Sequence, residues 1–247
     1  MNKCIYITVL MASMLFAGCR TPDAVSLFDG KSLNGWECPD GIFRVEDGCI
    51  VAGSMDTPLD HSYYLCTEGT YDDFELTLKA KFNSKGPYEN GGVSFRAERV
   101  QNSTQVAGYQ ADMGYIEAYI IPIFSDHSPS DPNSPYPLWG ILVDEFRSNT
   151  SRYPNTDFAP VVFLDMPERS LIESIVKKDD WNEIHIIANG PEIEIQVNGV
   201  STATFLERDK WVPEEGHIGL QVHSGGPCQV LYKDIKLRKL RTNDQDL

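Results

Sequence analysis

Asp73-Phe74-Glu75-Leu76-Thr77-Leu78-Lys79-Ala80-Lys81-Phe82 alternates apolar and polar residues without a break. Phe74, Leu76, Leu78, Ala80 and Phe82 fall on one side and Glu75, Thr77, Lys79 and Lys81 on the other, the period-two signature of a half-buried strand. The same period returns downstream. Trp181 to Ala188 runs through Asn189-Gly190-Pro191 into Ile193, Ile195 and Val197. Asn198-Gly199 is a hairpin signal before Val200 to Phe205. Ile218, Leu220 and Val222 alternate with His217, Gly219, Gln221 and His223, and Val230 to Leu240 alternates again. Asp29-Gly30, Asn34-Gly35 and Asp47-Gly48 punctuate the first fifty residues. Only Pro167 to Lys178 reads as a short helix. Many short strands separated by turn signals indicate an all-β sandwich or barrel.

The start of the chain bears on compartment. Lys3, an apolar run from Ile5 to Phe16, and Ala17-Gly18-Cys19 form a charged, then apolar, then small-residue export signal. The run is too short to span a bilayer comfortably. Cys19 directly after Ala-Gly resembles a bacterial lipobox, with Phe16 where that motif prefers Leu. Residues 1–18 are thus expected to be a lipoprotein signal, residues 19–25 a lipidated cysteine and linker, 26–240 one domain, and 241–247 a polar tail. Such a domain is expected to be exported and lipid-anchored to a bacterial membrane, the outer membrane by preference, facing the periplasm or the surface. The net charge of -15 argues against nucleic acid as a partner, since phosphate binding needs clustered Lys and Arg. Beyond Cys4 and Cys19, the cysteines Cys38, Cys49, Cys66 and Cys228 allow three complete pairings, which stay open. None has zinc spacing.

Two segments depart from simple sandwich patterning. Gly108-Tyr109-Gln110-Ala111-Asp112-Met113-Gly114 and Trp139-Gly140-Ile141-Leu142-Val143-Asp144-Glu145-Phe146-Arg147 mix carboxylates, an amide and an arginine with aromatics. A sugar asks for that mixture: polar groups for its hydroxyls and an aromatic face for its C–H surface. Between them the chain passes Pro122, Pro129, Pro132, Pro135 and Pro137. Such proline density excludes central strands and predicts a long loop, a lid or pocket wall.

Leu27-Phe28-Asp29-Gly30-Lys31-Ser32-Leu33-Asn34-Gly35-Trp36 resembles the opening signature of the 3-keto-disaccharide hydrolase domain family. Asp73 to Leu76, Asn90 to Arg96, Gly108 to Gly114, Trp139 to Arg147, Trp181-Asn182, Asn198-Gly199 and Gly219 to Gly225 resemble its later blocks in order, from Ser26 to Leu240. Gly91 stands where the family usually has Ser, and the proline-rich loop is longer than usual. The resemblance implies a concanavalin A-like, glucanase-type jelly-roll sandwich of two antiparallel sheets and a role in carbohydrate breakdown.

A conventional glycosidase places two carboxylates across the scissile bond, and retaining jelly-roll glucanases carry Glu-x-Asp-x-x-Glu on one strand. That string is absent here. A 3-keto sugar, which the resemblance implies as substrate, needs less, because its ketone acidifies the hydrogen on C2. A base removes that proton, a donor stabilises the enolate oxygen, the C1 substituent leaves, and water adds. Strand parity sorts the candidates. Val93, Phe95 and Ala97 are expected to face the core, with Ser94 and Arg96 opposite. Tyr109, Ala111 and Met113 oppose Gln110 and Asp112, and the apolar set of the 217–223 strand opposes Gln221 and His223. Asp144 and Glu145 point to opposite faces, and Glu145 is preferred. Asp112, Glu145 and His223 are therefore the expected catalytic residues. Arg96, Gln110, Tyr109, Trp139, Arg147 and Gln221 are the expected substrate contacts, with Tyr109 and Trp139 as stacking rings.

Plainer readings stand beside these. An outward Arg96 is commonly a salt-bridged strand residue, and His223 and Asp112 are also turn-forming types. Trp36 and Trp181 are expected to be core anchors. His61, His127, His185 and His217 show no arrangement that demands a role. No cofactor is called for; a divalent cation is compatible with the Asp, Glu and His residues, but no ligand spacing requires it. The same sandwich also carries non-catalytic lectins and structural modules, so a carbohydrate-binding surface lipoprotein is the alternative function.

Overall fold

The computed structural model describes residues 23–37, 41–86, 88–116, 135–147 and 161–240. The export signal, Cys19, Cys38, the proline-rich stretch from Pro122 to Pro132 and the 241–247 tail lie outside the described residues. The described chain is two antiparallel sheets packed face to face. The Phe74 stretch becomes β6 (Phe74–Ser84) near the middle of the first sheet, with Phe74, Leu76, Leu78, Ala80 and Phe82 all buried. It pairs on one side with β12 (Asn182–Asn189), followed outward by β13 (Glu192–Val197) and β14 (Val200–Leu206). On its other side lies β16 (Cys228–Lys239), followed by β4 (Cys49–Ser54) and β3 (Phe43–Glu46), while β1 (Val25–Ser26) also pairs with β16. The Asn198-Gly199 turn closes β13 and β14 with both residues at positive φ, 50° and 80°, as a two-residue hairpin of the favoured twist requires.

The second sheet runs β11 (Val162–Asp165), β10 (Leu142–Glu145), β8 (Val106–Ile116), β7 (Glu89–Arg99), β15 (His217–Val222), β5 (Tyr63–Thr67) and β2 (Trp36–Glu37). A two-residue strand, β9 (Tyr136–Pro137), pairs with the end of β8. The short helix is α1 (Arg169–Ile175), which buries Ile172 in the core. Between the sheets lies one core in which Leu76, Leu78, Ile186 and Val230 meet Val93, Phe95, Tyr109, Ala111 and Leu220. The outward face of the second sheet is covered as well. Tyr64, Cys66, Ala97 and Val106 form one apolar cluster there, and Tyr136, Leu138, Ile141 and Val143 form another. Among the described residues no helix is long and apolar enough to cross a membrane. Cys49, Cys66 and Cys228 are buried free thiols, so none of the three complete pairings forms. Trp36 is buried in the core as expected, whereas Trp181 is half-buried with Lys233 Nζ 3.9 Å above its ring, and is no core anchor.

One irregularity alters the expected parity. Arg96 has φ of 45°, and the pairing of β7 with both neighbours slips there. This is a β-bulge, which shifts the alternation of every residue beyond it. Ala97 consequently joins the outward cluster of Tyr64 and Cys66 rather than the core, and Arg96 leaves the face of Ser94. Its guanidinium instead crosses to the first sheet. Nη1 donates to the Gly190 carbonyl at 2.7 Å, Nε to the Asp72 carbonyl at 3.0 Å, and Nη2 to Asp73 Oδ1 at 3.0 Å. Asp73 Oδ1 also accepts from the Gly190 N–H at 2.7 Å. The Arg96 side chain is 2% exposed and that of Asp73 13%, so this is a largely buried, structural ion pair. Replacing Arg96 by Met is expected to destabilise the domain by about 3–5 kcal/mol, because Asp73 is left without its cation. Denaturant unfolding checks this, and a loss of turnover with unchanged stability would contradict the structural assignment.

Candidate active site

The outward face of the second sheet carries a closed ring of hydrogen bonds. Gln110 on β8 anchors it. The Ser94 hydroxyl donates to Gln110 Oε1 at 2.8 Å, which fixes the amide so that Nε2 faces three oxygens. Those oxygens are Asp112 Oδ1 at 2.7 Å, Glu145 Oε1 at 3.3 Å and Gln221 Oε1 at 3.3 Å. Gln221 Nε2 donates to the Tyr64 hydroxyl at 2.5 Å, and that hydroxyl donates to Glu145 Oε2 at 2.8 Å. Both Glu145 oxygens are thereby engaged. Among the described residues Gln110 supplies the one hydrogen bond to Asp112.

Register explains the convergence. Gly92 lies opposite Asp112 on one side and Gln221 on the other, and Gln110 sits two residues before Asp112. The Gln110 amide occupies the space a side chain at position 92 would take: a Cβ there would lie 2.5 Å from Gln110 Cδ. Glycine is required by this close approach. Glu145 enters from β10, where it pairs with Gly108, again opposite a residue without a side chain.

The six side chains are almost dry. Tyr64, Ser94, Gln110 and Gln221 are fully covered, and Asp112 and Glu145 are 9% and 7% exposed. Burial of this kind disfavours carboxylate charge. It raises the Asp112 pKa, with the Gln110 hydrogen bond opposing; it raises that of Glu145 too, and there the nearby Asp112 adds to the rise while Tyr64 opposes it. The two ionisations fall at about 7 and about 8, and they belong to the pair rather than to either residue. The pair therefore keeps protons to well above the usual carboxylate range. It thus combines an acid and a strengthened base.

Of the residues expected at the site, Gln110, Asp112, Glu145 and Gln221 are brought together. His223 follows β15 two residues beyond Gln221. Its Nδ1 lies 2.9 Å from the Tyr88 hydroxyl and 2.8 Å from the Ser224 carbonyl, and burial lowers its pKa. No hydrogen bond joins it to the carboxyl pair among the described residues. Arg96 is elsewhere because of the bulge. Tyr109 and Trp139 are not sugar-stacking rings: Tyr109 is fully buried in the core with its ring 5.5 Å from that of Phe95, and Trp139, 2% exposed, meets Phe82 edge-on at 5.7 Å. Phe146 has φ of 54°, and the turn carries Arg147 over the inner ring of Tyr109 at 4.1 Å, with Nε 3.3 Å from Asp144. Asp144 and Arg147 therefore lie away from Glu145. Tyr64 was not anticipated, since Tyr63-Tyr64-Leu65-Cys66 shows no polar alternation. Among the described residues no group of three or more His, Cys, Asp or Glu is placed to hold a metal.

A sequence model of the 3-keto-alpha-glucoside-1,2-lyase-like domain matches residues 23–238. No curated protein matches the chain. A candidate glycosyl hydrolase from Parabacteroides distasonis superposes with a TM-score of 0.55 at 18% identity, over 87% of this chain and 93% of that one. A protein of unknown function with a galectin-like fold from Bacillus subtilis gives 0.51 at 11% identity, over 89% and 97%. A carbohydrate-binding module from Bacillus subtilis gives 0.50 at 12% identity, over 83% and 96%. These structures share the jelly-roll sandwich.

Because the carboxyls are protonated in the folded state at pH values where unfolded ones are not, folding takes up protons between about pH 4 and about pH 8. The stability they contribute is full below that window and is lost as pH rises through it. Unfolding free energy measured from pH 5 to pH 9 is expected to fall, and Asp112→Asn to flatten the slope; an unchanged slope in that variant would remove the shared-proton account.

Proposed function

The chain belongs to the 3-keto-alpha-glucoside-1,2-lyase-like domain family, and we propose that it cleaves the glycosidic bond of 3-keto-glycosides by elimination followed by hydration. One observation carries the reading: Asp112 and Glu145 lie in one water-poor site, joined through the Gln110 amide, where burial raises the pKa of both. Asp112, with one oxygen free of described hydrogen bonds, takes the proton from C2. The electron pair moves into the enolate at C3, whose oxygen accepts from the Gln110 and Gln221 amides once substrate displaces their mutual contacts. When the ketone re-forms, C1=C2 forms and the C1–O bond breaks. The leaving oxygen takes the proton held by Glu145. Water then adds across C1=C2, with hydroxide at C1 and hydrogen at C2, and releases the free 3-keto sugar. The scheme requires no cofactor.

A binding-only role is favoured by the same burial, since a ring of satisfied hydrogen bonds can exist for structure alone. Turnover separates the two. A 3-keto-glucoside with an aromatic leaving group is expected to release its aglycone while the unoxidised parent does not. Glu145→Gln and Asp112→Asn are expected to lower kcat about 10²–10⁴-fold with sugar binding retained. Equal cleavage of both compounds would defeat the elimination scheme, and binding without any product would establish the lectin-like role.

The domain's place is proposed on the motif at Cys19: an exported lipoprotein held at a bacterial outer membrane. Metabolic labelling with a radioactive fatty acid is expected to mark the wild-type protein and not Cys19→Ser; equal labelling would refute the anchor.

A further inference from the structure

On the opposite face of the second sheet from the carboxyl pair, a cavity of about 360 Å³ opens at the end of the sandwich. Its walls include Glu89 from β7, Tyr115 from β8, and Arg169, Glu173, Val176 and Lys178 on and after α1. Glu89 and Tyr115 are register partners, and Tyr115 packs against the main core, whereas Asp112 points outward. A layer of sheet therefore separates this cavity from the candidate active site. Its volume lies at the small end of the range for ligand sites, about 300–1,000 Å³, which suits one sugar ring.

The chemistry of the walls narrows the ligand. Glu89 is buried, 9% exposed, and its described hydrogen bonding is incomplete. The Ser84 hydroxyl lies 3.0 Å from Glu89 Oε1 but also 2.8 Å from the Gly86 carbonyl, and a hydroxyl has one proton to give. Burial raises its pKa, and a carboxyl on a cavity wall can accept from a ligand hydroxyl and, when protonated, donate to one. Arg169 is held in place by Glu173 Oε1 at 2.7 Å and the Pro135 carbonyl at 3.3 Å. Arg169 is neutralised by Glu173 and burial pushes Glu89 toward its uncharged form, so the inner walls suit an uncharged polar ligand. Tyr115 and Val176 add aromatic and apolar surface.

We propose that this cavity is a second, non-catalytic sugar site that takes one neutral hexose ring, with Glu89 accepting from ring hydroxyls and Tyr115 facing the ring's C–H surface. It rests on the reading that the protein handles carbohydrate, but not on the elimination chemistry. Titration of the domain by NMR with methyl α-D-glucopyranoside, methyl β-D-galactopyranoside and methyl α-D-mannopyranoside tests it. At least one glycoside is expected to bind the Asp112→Asn protein as tightly as wild type, and Glu89→Gln to weaken that binding at least tenfold. Lys178→Ala, on the exposed rim, removes a hydrogen-bond donor to the ring hydroxyls without touching the core and is expected to weaken binding several-fold, which keeps the test open should Glu89→Gln fail to fold. Both variants are expected to keep full cleavage of a small 3-keto-glucoside if wild type cleaves it. Absence of binding by all three glycosides at tens of millimolar, or unchanged affinity in the Glu89 and Lys178 variants, would overturn the site. So would loss of binding in Asp112→Asn, which would place the sugar at the carboxyl pair. Failure of wild type to cleave the keto-glucoside, with Glu89-dependent binding intact, would instead count against the catalytic reading alone.

Discussion

The Arg96 guanidinium ties the two sheets together, and the geometry of the outward face follows from how it does so. To reach Asp73 and the Gly190 carbonyl, β7 takes a residue at positive φ and slips its pairing with both neighbours. Up to Phe95 the strand alternates normally, placing Ser94 and Gly92 under Gln110. Beyond the bulge it alternates in the opposite phase, which turns Ala97 outward to close the apolar cluster beside Tyr64. Two glycines make the bulge sterically feasible. A Cβ at Gly108 would lie 2.7 Å from Ala97 Cα, and one at Gly216 would lie 2.4 Å from the Arg96 carbonyl carbon. The absent side chain at Gly108 also leaves Glu145 an open neighbour across β10 and β8.

Within that frame, two carboxyls sit where water scarcely reaches. An isolated buried carboxylate is expensive, and proteins usually avoid the charge by taking up a proton. Here the polar partners are complete on one residue and partial on the other. Glu145 has both oxygens engaged through Gln110 and Tyr64, whereas Asp112 depends on Gln110. Such asymmetry leaves Asp112 an open oxygen that can accept a proton, and holds Glu145 in a fixed orientation. It also explains why Gln110 is central: one nitrogen faces three acceptors with two hydrogens, so any ligand that supplies a donor relieves a standing shortage.

Much of the fold was legible because its physical basis is local. Period two along Phe74 to Phe82, the Asn198-Gly199 turn and the short helix α1 all appear where the residue pattern puts them. The gathering of Gln110, Asp112 and Gln221 was legible for the same reason, since each opposes an apolar set on a regular strand, whereas nothing in Leu142-Val143-Asp144-Glu145 separates Glu145 from Asp144 by pattern. The misplacements share a different cause. Arg96 and Arg147 lie at positive-φ breaks, at Arg96 itself and at Phe146, where alternation stops and no glycine announces it. Tyr109 and Trp139 suggest sugar contacts by residue type alone, although parity puts Tyr109 on the inner face, and both are buried. Tyr64 was hidden because β5 is buried on both faces, so its polar hydroxyl carries no pattern signal.

The spacing of the carboxyls bears on which bond-breaking chemistry fits. Glycosidases that work by direct displacement set their two carboxyls on either side of the sugar, about 5–5.5 Å apart in retaining enzymes and about 6.5–9.5 Å apart in inverting ones. In this protein the Gln110 amide nitrogen contacts both Asp112 and Glu145, at 2.7 and 3.3 Å, so the two carboxyls stand side by side on one sheet face. A pair of that kind approaches substrate from a single side. Removal of a C2 proton and protonation of the departing C1 oxygen are operations on adjacent atoms, within reach of neighbouring groups on one face. The proposed elimination is in keeping with carboxyls presented side by side in this way.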